Sequence, residues 1–410
     1  MHPALPSLHR HPSAGHSPIA EALCQEAPSI DASGSNEQVM ALFANHRDLG
    51  SLAVVEQQRP IGLINRNIFL SQMSKPFHRE LYDKKSCIAF MDKSPLMVDV
   101  LTPIEALMHM TVQTGEKALA DGFIITREGH YAGMGNSLSL IGLIASIQEE
   151  RNRQIMQSIE YASVIQRAML RTSRSALDAA LGDATLVWQP RDVVGGDFYH
   201  FSGHADGWFG ALADCTGHGV PGAFMTLIAS SSLAQALEQA GPRQPSALLG
   251  TVNRGVKTML GQSSEVDETP ESNDGLDAAF LWFDRQAGTL TFAGARIALY
   301  VLRPGDDDFE ILAGQRRGVG YLDSPMDHAW TEQSIQVPPG TLLFITTDGL
   351  IDQIGGPRRI AFGRRRASQV ILAHREQATA QICAALVDAL ADWQGKQKRR
   401  DDLTLFCARL

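Results

Sequence analysis

The sequence has little cysteine and no cysteine pattern: Cys24, Cys87, Cys215, Cys383 and Cys407 are an odd number, and no two form a CxxC pair. Such usage fits reduced thiols in the cytosol better than a disulfide framework. No stretch approaches the roughly 20 apolar residues that a membrane helix needs, and the N-terminus lacks a basic-then-apolar leader. A cytoplasmic protein with no membrane contact is expected. Net positive charge is missing too, since 36 lysines and arginines face 45 aspartates and glutamates, for a net charge of −9. This argues against a general nucleic-acid binder, although Arg364, Arg365 and Arg366 make a local basic run. What remains is ordinary for globular protein: 410 residues, 44% hydrophobic and 20% charged, enough for two or three domains.

The first 47 residues are rich in Pro, Ser, Ala and His over most of their length, without apolar periodicity, and are expected to form a disordered tail. His2, His9, His11 and His16 are irregularly spaced and have no Cys or acid partners, so a metal tract is not expected there. From residue 48 the texture changes. The run SLAVVEQQRPIGLINRNIFL gives a strand, a turn, a second strand and a helix start, and DGFIITREGHYAGMGNSLSLIGLI repeats that order downstream. Between them, PLMVDVLTPIEALMHMTVQ reads as a short strand and an amphipathic helix starting at Thr102-Pro103. Residues 48–145 therefore read as a module of two similar units. Residues 141–171 carry no Pro and no Gly after Gly142, and their apolar positions fall mostly three or four apart. One long amphipathic helix is expected, within a linker over 146–180 that can dimerise the chain or transmit a change along it. A passive helix packed on its own domain is the plainer alternative.

Residues 181–410 alternate strand-like and helical text as one continuous domain. Apolar runs joined by tight polar turns, with longer helices near 220–260 and 366–393, point to a layered α+β fold. Residues 261–275 are acidic and Gly/Ser-containing, as in a surface loop. The organising stretch is GALADCTGHGVPGAFM, from Gly210 to Met225, where small apolar residues lead to Asp214 and then to a Gly-rich turn. Aspartates stand at the same kind of place three more times: Asp197 after Val193-Val194-Gly195-Gly196, Asp348 in TTDGL, and Asp401-Asp402 before Leu403-Thr404. One such acid is usually a cap or a turn residue. Four strand ends carrying them favour a divalent-cation site, because carboxylates gathered without metal raise one another's pKa.

His218, between Gly217 and Gly219, suits a leaving-group acid, and equally a histidine that pins the Gly turn by a hydrogen bond. Cys215 reads as a spacer, since no His or Lys is patterned to lower its pKa. Arg191 is a candidate phosphate ligand, with a surface ion pair to Asp192 as the plainer reading.

Two family resemblances follow from these residues. Gly62-Leu63-Ile64-Asn65-Arg66 and Gly133-Met134-Gly135-Asn136-Ser137 resemble the corresponding strands of a CBS domain pair, a regulatory α/β module, over about residues 48–145. Nucleotide-binding members carry Ser or Thr after the Gly strand and Asp three residues later; here Asn65, Ile68, Asn136 and Ser139 stand there, so the resemblance implies packing and dimerisation rather than adenine-nucleotide sensing. Residues 181–410, through the ordered set VGGDFY, ADCTGHGVPGAFM, FAGAR, TTDGL and DDLT, resemble the SpoIIE-type branch of the PPM (type 2C-like) serine/threonine protein phosphatases.

That second resemblance implies an α-β-β-α sandwich with two manganese or magnesium ions between the sheets. Asp214 would bridge both ions, Asp197 and the Cys215 carbonyl would complete one, and Asp348 with Asp401 would hold the other, Asp402 being the neighbouring alternative. Two such ions activate water and stabilise an in-line phosphoryl transfer. The resemblance further implies a small phosphorylated STAS-like or anti-sigma-factor-antagonist substrate, an opposing kinase and a bacterial partner-switching pathway, with the linker helix suggesting a homodimer. Two other classes remain at this stage: a non-catalytic phosphoprotein-binding scaffold, and a nucleotide-sensing CBS protein.

Overall fold

The computed structural model describes residues 18–262 and 272–410. The four N-terminal histidines, and most of the acidic loop expected over 261–275, lie outside the described residues. The chain divides into two compact units, with the boundary between Gln154 and Ile155.

In the first unit, order begins well before residue 48, which corrects the tail expected over 1–47 from residue 18 onward. A 3-10 helix at Ala20–Leu23 precedes β1 (Ser29–Asp31) and α1 (Asn36–Asn45). Burial explains the order, because Ala20, Leu23, Ile30, Val39 and Phe43 are all withdrawn from solvent. A capping box also starts α1: Ser35 accepts from the Gln38 N–H, and the Gln38 side chain accepts from the Ser35 N–H.

Strand β1 pairs parallel with β2 (Ser51–Glu56), which pairs antiparallel with β3 (Arg59–Asn65); α2 (Arg66–Met73) and α3 (His78–Tyr82) follow. The second copy repeats the scheme: β4 (Met97–Asp99), α4 (Ile104–Thr114), α5 (Glu116–Asp121), β5 (Phe123–Arg127), β6 (His130–Gly135) and the start of α6 (Ser137–Ala180), with β4 parallel to β5 and β5 antiparallel to β6. Both hairpins close through left-handed pairs, Gln57 and Gln58 at φ 48° and 66°, and Glu128 and Gly129 at φ 54° and 78°. Such pairs match the twist of a two-residue hairpin. Ala53, Leu63, Ile124 and Met134 form a small core drawn from both copies. Asn65 and Asn136 serve as helix caps, accepting from the N–H groups of Ile68 at 3.0 Å and Ser139 at 2.7 Å.

The second unit takes in α6 from Ile155 onward. It continues with β7 (Asp183–Gln189), β8 (Asp197–Gly203), β9 (Gly207–Cys215), α7 (Gly219–Ala240), α8 (Pro245–Met259), β10 (Leu276–Asp284), β11 (Thr289–Ala295), β12 (Leu299–Leu302) and β13 (Glu310–Leu312). Then come β14 (Gln333–Gln336), β15 (Leu342–Thr346), α9 (Asp348–Ile351), the hairpin β16 (Ile354–Gly355) and β17 (Ile360–Ala361), α10 (Gly363–Ala373), α11 (Thr379–Gln394) and β18 (Leu403–Arg409). Two five-stranded antiparallel sheets result, ordered β14-β11-β10-β9-β8 and β13-β12-β15-β18-β7. Helices α7 and α8 pack on the first and α11 on the second, giving the expected α-β-β-α sandwich. Between and beneath the layers sit Trp208, Phe209, Phe280 and Phe292, each fully buried and each contributing about 2–3 kcal/mol.

Each of the two longer helical regions is in fact a pair. Gly241, at φ 71°, ends α7 before Pro245 opens α8, and residues 374–378 separate α10 from α11. Helix α7 is also long and apolar enough to cross a bilayer by length and composition alone, which the sequence reading did not anticipate. Here Met225, Ala229, Leu233 and Ala236 pack it into the domain core.

Candidate active site

Sheet register assembles the acids. Asp197 on β8 is the direct partner of Asp214 on β9, and Asp214 is in turn the partner of Asp277 on β10. Three carboxylates thus stand in a row across neighbouring strands of the first sheet. The second sheet supplies Asp348, where β15 gives way to α9, and Asp401-Asp402, just before the adjacent β18. Hydroxyl groups tie the two sets together: Thr347 and Thr404 donate to Asp197 Oδ2 at 2.8 and 2.7 Å. Gly196 and Gly349 let the backbone close in, since a Cβ on either would collide with backbone oxygens, of Gly217 and Cys215 for one and of Asp402 for the other.

The electrostatic consequence is a set of carboxyls pushed toward their neutral forms. Asp197 is raised to about 8 by burial and by Asp402, against the lowering effect of its two hydroxyl donors. Burial pushes Asp214 well above the usual carboxylate range, with Asp197, Asp348 and Asp401 adding to the effect. Asp348, which shares a hydrogen bond with Asp214, is raised to about 6 by burial and then Asp401. Among the described residues none of Asp197, Asp214, Asp348, Asp401 and Asp402 has a lysine or arginine ion-pair partner. Hard divalent cations are the partners that such an oxygen-only donor set fits. Among the described residues no three His, Cys, Asp or Glu side chains already converge as a metal-holding group.

Of the two adjacent acids, Asp402 is committed to the backbone. It accepts from the Gly196 N–H at 2.6 Å and the Arg191 N–H at 2.5 Å. Asp401 acts electrostatically on Asp214 and Asp348. The buried Cys215 thiol is pushed far up by burial and the surrounding acids, which leaves it inert, while its carbonyl faces Gly196. His218 is exposed at the start of α7, and its Nδ1 lies 2.9 Å from Asp192 Oδ2. Asp192 therefore engages His218 and not Arg191, whose side chain donates instead to the Arg400 carbonyl at 3.0 Å.

The sequence reading missed Asp277, Arg296, Arg364 and Gln166. Asp277, Arg296 and Arg364 line a pocket of about 140 Å³ together with Asp214, Asp348 and Asp352. Asp277 is raised to about 6 by burial, with Arg296 holding it down. Arg296 adopts φ 63°, donates to Asp277 Oδ1 at 3.3 Å and lies 4.5 Å from the centre of the Tyr321 ring. Gln166 of α6 brackets Gly195, donating to its carbonyl at 2.7 Å and accepting from its N–H at 3.2 Å. Asp277 opens the apolar run DAAFLWF, Arg296 closes the FAGAR stretch and Arg364 begins a basic run, but none of these signals pointed to the acid cluster.

The family model of stage II sporulation protein E (SpoIIE) matches residues 204–410, a stretch that begins just after Asp197. The solved SiaA-PP2C domain of Pseudomonas aeruginosa is similar at 37% identity, covering 63% of this chain and 98% of that one, with a TM-score of 0.57. The structure of the PP2C phosphatase domain and a regulatory fragment of SpoIIE from Bacillus subtilis matches at 16% identity over 56% of this chain and 63% of that one, with a TM-score of 0.44. Among curated proteins none matches the chain significantly.

Proposed function

The chain belongs to the SpoIIE family and is a protein serine/threonine phosphatase of the PPM type, and from that premise we propose that its acid cluster binds two manganese or magnesium ions and dephosphorylates a small phosphoprotein. The observation that carries this reading is the adjacency of the buried Asp197 and the partly buried Asp214 across from Asp348 and Asp401, acids that among the described residues have no cationic side-chain partner. Asp214, Asp197, the Cys215 carbonyl, Asp348 and Asp401 are the groups that would hold the ions. Asp402 holds the 191–196 loop in place. When bound, the ions supply water activation and charge neutralisation at the phosphoryl group.

The chain's own residues do the rest. Thr347 and Thr404 fix the Asp197 carboxylate, and Gln166 and Asp402 hold Gly195 and Gly196 against it. His218, oriented through Nδ1 by Asp192, offers Nε2 as proton donor to the leaving alkoxide. Hydrolysis of a phosphoserine peptide with manganese, against EDTA and Asp214→Ala, tests the assignment.

Around this centre we place a cytoplasmic partner-switching role, with a STAS-like phosphoprotein as substrate and a kinase opposing it. Residues 48–145 act as a CBS-like regulatory module, for which the paired β-α-β-β-α copies, now extended back to Ser29, are the support. The exposed Ile155, Tyr161, Val164 and Ile165 of α6 favour a homodimer through the linker. Removing residues 1–145 is expected to change turnover or sedimentation; a truncated protein identical in both would remove the regulatory role.

A further inference from the structure

Two basic stretches distant in sequence come together beside the acid pocket. The first, residues 354–366, carries five arginines and no acid, and forms the β16–β17 hairpin and the start of α10. The second, Gly395–Arg400, reads GKQKRR and runs straight into Asp401. Gln353 joins them, donating to the Lys398 carbonyl at 3.1 Å and accepting from the Arg400 N–H at 3.0 Å. Trp393 anchors the hairpin: its carbonyl accepts from the Gly356 N–H at 2.7 Å, its Nε1 donates to the Ile360 carbonyl at 3.2 Å, and the Arg366 guanidinium lies 3.8 Å from its ring centre. The basic side chains therefore project from a fixed platform.

Arg366 and the half-buried Arg399 are used internally. Arg358, Arg359, Arg364, Arg365, Lys396 and Lys398 are exposed, and among the described residues none of them has an ion-pair partner. The acids on adjoining elements, Asp352, Asp388 and Asp392, leave them unpaired. On a chain of net charge −9, six gathered cations are a segregation of charge that costs self-repulsion and attracts a complementary anion. Arg364 lines the same pocket as Asp214 and Asp348, so the basic edge begins at the catalytic site itself.

We propose that this basic crescent docks acidic residues flanking the phosphorylated serine or threonine of the protein substrate. The inference rests on the phosphatase reading and adds the charge character of the substrate. Complementary charge steers encounter and sets which phosphosite enters the pocket.

The test uses the full chain with manganese and two phosphopeptides that share one phosphoserine core, flanked by glutamates or by alanines. The glutamate-flanked peptide is expected to have a kcat/KM at least about 10-fold higher, mainly through KM, with the gap narrowing in about 0.5 M salt. Arg358→Glu/Arg359→Glu/Arg365→Glu, and separately Lys396→Glu/Lys398→Glu, are each expected to erase most of that preference while the alanine-flanked peptide is still turned over. Equal kcat/KM for the two peptides, or a preference that survives both variants, overturns the proposal. So does tighter binding of a labelled single-stranded oligonucleotide than of the acidic peptide, lost in the same variants. If neither peptide is hydrolysed, the phosphatase reading fails, and fluorescence anisotropy still decides docking: tighter binding of the acidic peptide supports the crescent, and equal binding overturns it.

Discussion

Asp197 and Asp214 face each other as direct cross-strand partners, two carboxylates at a position where like charges destabilise a sheet. The Thr347 and Thr404 hydroxyls offset part of this at Asp197. A pH dependence follows. Without metal, Asp197 is raised to about 8 and Asp348 to about 6, so between the ordinary carboxylate range and those values the folded state binds more protons than the unfolded one. Stability from these groups is therefore present at low pH and lost as pH rises. In EDTA the melting temperature of the wild type should fall from pH 5 toward pH 8 relative to that of Asp214→Asn, and manganese should remove the wild type's fall. Parallel curves for the two proteins in EDTA would contradict this.

The neighbours Asp401 and Asp402 should separate by function. Asp402→Asn weakens its acceptance of the Gly196 and Arg191 N–H groups, a loss of about 1–3 kcal/mol that appears in a denaturant melt even in EDTA. Asp401→Asn should leave that melt close to wild type and raise the manganese concentration needed for half-maximal turnover. Reversed behaviour of the two variants would exchange their roles.

Arg296 holds Asp277 down against burial. Arg296→Met should move the Asp277 titration further above about 6, read by carboxyl-carbon NMR of the metal-free protein. An unmoved or lowered titration would mean that the ion pair has little influence at this edge.

Gln166 satisfies both backbone groups of the buried Gly195 from helix α6. Gln166→Leu leaves them without partners and should cost about 1–3 kcal/mol in a chemical melt. A change under about 0.5 kcal/mol would show that the helix does not support the loop.

How much of this was legible in the sequence depended on range. Acids where an apolar run meets a Gly turn are local signals, so Asp197, Asp214, Asp348 and Asp401-Asp402 were readable in the chain. Asp277 was not, because only the register of β10 on β9 brings it beside Asp214. Strand β1 was missed for a similar reason: three residues have no periodicity, and their value lies in pairing with β2, although the Ser35–Gln38 capping box stood in plain view. The helix breaks lie in polar text, GPRQP from Gly241 and HREQA over 374–378, and were locally readable, but the helical text on either side was read through them. The Arg364, Arg365 and Arg366 run was readable as a local basic cluster, whereas its junction with 396–400 depends on the long-range contacts of Gln353 and Trp393.

The most direct measurement of the central claim is turnover of a phosphoserine peptide by the purified full chain with manganese, with EDTA, and in the Asp214→Ala variant with its fold checked by circular dichroism. The account predicts manganese-dependent release of phosphate that EDTA abolishes and that falls by at least about 100-fold in the folded variant. Undiminished turnover in Asp214→Ala, or equal turnover in EDTA, would contradict it.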